Sequence, residues 1–179
     1  MNRIRRVLSL AALATGILSA PLAQASNLSD ATIYAIFDQA NMADIASGRL
    51  AWAKSRNPEV RRLAKMVITD HTAVQQMGRD IAKQMNALGT PPAGDASWSQ
   101  MAQTLERLDK LEGAEFDAAY LRHEIGFHAA VINAIDTVLL PAIEDARFKG
   151  LVRKVLPGFQ HHLNETRAVA EKLGVTQIH

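Results

Sequence analysis

The sequence predicts an all-α protein: four long helices packed as one bundle, with a short extra helix in the crossover between two pairs. Three observations carry this. Apolar residues recur at three- and four-residue steps in four stretches, each of about 26 to 31 residues. No stretch shows sustained two-residue alternation rich in Val, Ile and Thr. Turn signals fall between the periodic stretches, at Asn57-Pro58, Pro91-Pro92, Gly113 and Pro141.

The chain opens with the pattern of an export leader. Arg3, Arg5 and Arg6 form a basic region, and Val7 to Ala20 is apolar but too short to span a bilayer comfortably. Ala23-Gln24-Ala25 is a small-x-small cleavage signal. Residues 1–25 are therefore expected to be a signal peptide, and 26–179 a single domain of the periplasm. No second apolar run of spanning length is expected after it. The chain holds no Cys, which excludes disulfides, thiolate metal sites and a lipid anchor on Cys.

Charge counts also change with the leader. The full chain has 20 Lys+Arg against 18 Asp+Glu. Removing three Arg leaves a near-neutral domain, one acidic residue in excess. Nucleic acid needs a clustered basic surface, so it is not an expected partner. A protein partner in the cell envelope fits better. An apolar fraction of 48% argues for a packed core rather than a disordered chain.

The first helix is expected from about Ser29 to Ser55, its stripe being Ile33, Ile36, Phe37, Ala40, Asp44, Gly48 and Ala51. Asn57 can cap the second helix, with Pro58 at its first position, where a missing N–H costs nothing. That helix is expected to run to about Leu88 on Val60, Leu63, Ala64, Val67, His71, Val74, Ile81 and Met85, closed by a left-handed Gly89. Ser97 and Gln100 have capping-box spacing for a short helix to about Leu111. The next long helix spans about Ala114 to Leu140 on Leu121, Ile125, His128, Ile132, Ile135 and Leu139. The last spans about Asp145 to Leu173 on Phe148, Leu151, Val152, Val155, Phe159, His162 and Val169, with Pro157 inside it as a predicted kink. Helices of this length are roughly 40 Å long.

Each pair is joined by a tight turn, and about 25 residues lie between the pairs. A connection that long can run the length of the bundle, which is the ferritin-like arrangement. Simple up-and-down winding is the alternative.

Asp44, His71, His128 and His162 each interrupt an apolar stripe near mid-helix, at matching depths. Three imidazoles and a carboxylate meeting in a dry core make either a transition-metal site (Zn, Fe, Cu or Mn) or a hydrogen-bonded network that fixes register. Glu165, Glu124 and Asp70 are the candidate supporting groups. Glu165 shares the face of His162, whereas Asp70 points about 100° away from His71. A di-metal carboxylate oxidase is disfavoured. It uses a Glu-x-x-His spacing, and here Glu124 precedes His128 by four. His161 and His123 are expected on the solvated side or flank.

Four segments resemble the domain-of-unknown-function 4142 family. They are VRRLAKMVITDH at 60–71, FDAAYL at 116–121 with His128 seven residues on, Leu156-Pro157 with His162 five residues on, and NMADIASGRLAWAKS at 41–55. Asp44 stands where that family usually has Glu, and Phe127 and His161 precede their histidines where an acid is common. The resemblance implies a secreted or periplasmic ferritin-like four-helix bundle of unassigned activity. The expected role is a non-enzymatic envelope protein, linked to envelope stress, with a buried His/Asp cluster. A metal-binding protein is the alternative.

Overall fold

The structure, a computed structural model, describes residues 28–87 and 89–175. The leader expected over 1–25 lies outside them. The described residues form helices and connecting turns, without strands. Helix α1 is Asp30–Lys54, α2 is Pro58–Gln84, α3 is Ser97–Asp109, α4 is Gly113–Ala142 and α5 is Ala146–Lys172.

Local chemistry sets the ends. Ser29 caps α1 by accepting from the Thr32 N–H at 3.2 Å. Asn57 Oδ1 accepts from Glu59 N–H at 2.9 Å, with Pro58 in the first helical position. Asp145 takes the N–H groups of Arg147 and Phe148 at the head of α5. Gly174, with φ 67°, closes α5 through Val175 N–H to Ala170 O at 2.8 Å.

Two expected ends differ. Helix α2 stops at Gln84 because Asn86, with φ 52°, takes the left-handed position, and Ala87 N–H returns to Ala82 O at 3.0 Å. Gly89 serves a different need: a Cβ there would stand 3.2 Å from Tyr34 and 3.3 Å from Ala35, so the connection passes hard against α1. At α3, Ser97 is the first helical residue rather than the cap. Asp95 receives its N–H at 3.3 Å and its hydroxyl at 2.9 Å.

Asp30 anchors the topology. Its carboxylate accepts from Glu144 N–H at 2.9 Å and Asp145 N–H at 2.7 Å, so the start of α1 meets the end of α4. Glu59 and Glu165 of α2 and α5 pair with Lys172 and Arg62, joining the start of α2 to the end of α5. Neighbours round the bundle are α1, α2, α5 and α4, and each runs antiparallel to the next. Consequently α2 and α4 run the same way, and the connection between them must travel the bundle's length. Helix α3 does so along α1, held by Gln39–Asp95 at one end and Lys54–Glu112 at the other. This is a ferritin-like four-helix bundle with a short helix in its crossover, and simple up-and-down winding is excluded.

Helix α4 contains a π-helical turn at Ile135–Leu139. The sequence pattern suggested only continuous α-helix there. By length and composition α4 is also apolar enough to cross a membrane, contrary to the expected absence of such a run. In the bundle it buries Asp117, Glu124 and His128 along with its apolar residues.

The apolar core comes in two parts. One holds Ile33, Phe37, Ile135, Phe148 and Phe159. The other holds Ala51, Leu63, Phe116, Leu121 and Val169. Between them lies a polar layer. Helices α1 and α2 approach closely beside it at Gly48, where a Cβ would stand 3.1 Å from Ile68 Cγ1 and 3.4 Å from Ala64 O. Gly48→Val should therefore overpack this crossing and lower stability by about 1–3 kcal/mol. A urea titration followed by circular dichroism reads the shift as a lower midpoint with native helicity retained.

Candidate metal centre

Asp44, His71, His128 and His162 come from α1, α2, α4 and α5, one from each long helix. All four are buried, between 0% and 3% exposed. The structure brings all four predicted positions together. Asp44 Oδ2 lies 2.8 Å from His71 Nε2 and 3.3 Å from His128 Nε2. His71 Nε2 lies 3.2 Å from His162 Nδ1. One nitrogen from each histidine falls within 4.8 Å of the other two.

The far nitrogens fix the tautomers. His71 Nδ1 is 2.9 Å from Asn41 Oδ1. The Asn41 amide cannot be turned round, because its Nδ2 donates to Phe37 O at 2.7 Å. His128 Nδ1 is 3.0 Å from the Glu124 carbonyl. His162 Nε2 is 2.9 Å from Asp70 Oδ2. Each of these partners is an acceptor, so each far nitrogen carries the hydrogen. The three inward nitrogens then present lone pairs to one another and to Asp44.

Lone pairs and a carboxylate at these separations repel unless something positive lies among them. The hydrogen-bond geometry agrees. Neither Asp44 oxygen receives a well-directed hydrogen bond despite the short approach of His71, and His128 Nε2 is likewise unpartnered. Outward donors with inward lone pairs are how metal-ligating histidines are held.

The ionisation of these groups is interdependent. Burial alone would raise the Asp44 carboxyl, but the positive charge that His71 and His128 can carry outweighs it and holds Asp44 well below the usual carboxylate range. Burial lowers His128 and His162, so both favour the neutral form a metal requires. The pull of Asp44 on His128, and of Asp70 on His162, only partly opposes this. Glu124 goes the other way. Burial first, then the Asp44 charge beside it, push its carboxyl well above the ordinary value. Its protonated form is thereby favoured beside Asp44, while its Oε1 accepts from Ser47 Oγ at 2.8 Å.

The supporting groups divide unequally. Asp70, the weaker candidate by helical angle, is the partner of His162, reached across the α2–α5 interface rather than along its own helix. Glu165 instead pairs with Arg62 at 2.9 Å and does not touch the cluster. His161 is exposed, and His123 packs on Phe127 with ring centroids 5.7 Å apart. Asn41 and Ser47 were missed, although both lie three residues from Asp44 and hence on its face. Tyr120 is fully buried with an unpartnered hydroxyl.

Comparison with known proteins supports the fold. A family model described as "Domain of unknown function (DUF4142)" matches residues 18–169. A crystal structure of a candidate secreted protein, DUF305, from Streptomyces coelicolor is similar, with a TM-score of 0.70. It is 13% identical, over 83% of this chain and 95% of that one, and at that identity the likeness shows the fold alone. None of the curated proteins matches.

Glu124→Gln tests the protonated acid. The amide keeps the same shape, still accepts from Ser47 and carries no charge beside Asp44, so metal-free stability near pH 5 should change by less than about 1 kcal/mol. Because the folded state raises the Glu124 pKa, its contribution is complete below the unfolded value and is lost as pH rises. The variant should therefore gain on the wild type between pH 5 and pH 8. Equal urea-midpoint differences at the two pH values would count against a protonated Glu124.

Proposed function

We propose a metal-binding role for this chain, which belongs to the DUF4142 family. In this reading it is an exported helical bundle of the cell envelope. It binds one divalent transition-metal ion through His71 Nε2, His128 Nε2, His162 Nδ1 and Asp44. One observation carries it: three histidine nitrogens and a carboxylate converge in a dry core, with each far nitrogen tied to an acceptor.

The spacing suits the ion. Bonds of about 2.0 Å to tetrahedral ligands place those ligands about 3.3 Å apart. The approaches of 2.8, 3.2 and 3.3 Å, three of the six edges of such a tetrahedron, lie near that length. Three neutral imidazoles and one carboxylate suit Zn, Fe, Cu or Mn. Export rests on the basic and apolar leader with its small-x-small signal. A protein partner in the envelope and a link to envelope stress complete the reading.

A second reading rests on the same contacts. A proton shared between His71 and His162, 3.2 Å apart, supplies the positive charge instead. The cluster is then a polar network that fixes register, in a bundle without enzymatic activity.

Metal content separates the two. Untagged protein, loaded in turn with Zn, Cu, Fe and Mn and dialysed, should retain about one equivalent of a single metal by elemental mass spectrometry. His71→Ala and His128→Ala should abolish retention while helicity by circular dichroism stays native. No retained metal under any loading leaves the network reading. Asn41→Ala removes no ligand but frees the His71 ring. It should weaken metal affinity by about 10–100-fold in a competition titration, and unchanged affinity would sink the role given to Asn41.

A further inference from the structure

The outward face of α4 differs from those of its neighbours. An 18-residue stretch of this helix is apolar enough to cross a membrane, yet only 22% of it is buried in the bundle. Helices α2 and α5 turn charged side chains to solvent along their length, among them Lys65 and Arg79 on one, Arg153 and Arg167 on the other. Between Arg122 and Asp136, α4 shows solvent no carboxylate, Lys or Arg, because Glu124 is buried. Gly126, Ala129, Ala130 and Asn133 form the middle of this face. A Cβ at Gly126 would meet nothing within 4 Å, so packing inside the bundle does not call for glycine there. Burial pushes His123 on the flank down to about 4, so it adds no charge at neutral pH. An uncharged, largely apolar strip on an otherwise charged surface marks a place of contact.

The two ends of the strip indicate what it contacts. Arg122 and Asp136 are both exposed, and neither makes an ion pair or side-chain hydrogen bond among the described residues. They are opposite in sign and stand about 21 Å apart along the helix axis. A strip that is positive at one end, negative at the other and uncharged between is complementary to itself turned end for end. Two copies of α4 laid antiparallel, with a two-fold axis near Ala129, bring each Arg122 to the other copy's Asp136. Parallel pairing would set Arg122 against Arg122. Small side chains in the middle let the helix axes approach to about 8 Å, and the long Arg side chain spans the gap at each end. A bilayer surface would leave the opposite signs of the two ends without a use.

We propose that the outward face of α4 is a self-association surface, through which two copies of this chain pair antiparallel along residues 126–133, each Arg122 bound to Asp136 of the other copy. The pairing is independent of the metal reading, since Asp44, His71, His128 and His162 are all buried inside each bundle. One helix pair covers less than the roughly 800 Å² per partner of a standard interface, so the dissociation constant should be on the order of 10 μM.

Sedimentation velocity of the untagged protein over a concentration series, from well below to well above that constant, tests the pairing. The wild type should pass from monomer to dimer. Arg122→Glu and Asp136→Lys each set like charges together twice in the dimer, and each should weaken it by more than about tenfold. The double variant Arg122→Glu/Asp136→Lys restores opposite signs and should recover dimerisation to within about threefold of the wild type. Both positions are exposed, so circular dichroism should report native helicity in all three variants. A wild type that stays monomeric throughout overturns the proposal. So does a dimer indifferent to either single reversal, or a double variant no tighter than the singles, which would place the contact elsewhere or in another orientation. A monomer that co-sediments with phosphatidylcholine vesicles, and loses them on Ala130→Glu, would assign the strip to a bilayer instead.

Discussion

Everything at the centre of this bundle depends on one electrostatic constraint. A fully buried carboxylate and three imidazoles meet between the two apolar clusters, so their charge has to be balanced within the cluster. Asn41, the Glu124 carbonyl and Asp70 impose that constraint by claiming the outward hydrogens of the three rings. Any one of them alone would leave a ring free to turn. Together they hold all three rings with one nitrogen turned inward. The four groups also come from four different helices, so the demand for charge balance is at the same time a demand on how the helices assemble.

The tertiary arrangement supplies what the individual helices cannot. Because α2 and α4 run in the same direction, α3 has to climb the outside of the bundle before α4 begins. That path sets α4 against α1 with Glu124 opposite Ser47 and the end of α4 clamped on Asp30. His128 consequently arrives level with Asp44. The register is fixed twice, by charge at the ends and by hydrogen bonds at the middle, without help from covalent cross-links.

Much of this was legible in the chain itself. Polar residues standing in an apolar stripe at equal distances from their turns placed Asp44, His71, His128 and His162 at one level of the bundle, because helical rise converts residue count directly into depth. The long connection gave the winding for the same reason. Other features were hidden by their physical nature. Asp70 points away from His71 along its own helix, yet it meets His162 on the neighbouring helix, and a contact of that kind needs the packing. Glu165 shared a face with His162 but found Arg62 nearer. The π-helical turn at Ile135–Leu139 adds one residue to a turn of otherwise ordinary composition, which no periodicity reveals over five residues. Asn86 takes the left-handed bend expected of Gly89, since a glycine serves close approach as readily as such a bend.

The division of the core into two apolar clusters has a consequence for cooperativity. Each cluster draws residues from all four long helices, and each is separated from the other by a polar waist. Apolar contact alone passes weakly through such a layer, so the two ends of the barrel have a route to loosening independently. A cation held at the waist joins all four helices at the level where the apolar contacts thin out. Its binding free energy then appears as coupling between the ends as well as added stability. Occupancy would convert two loosely linked halves into one folding unit, with amide protons at both ends exchanging at a common rate.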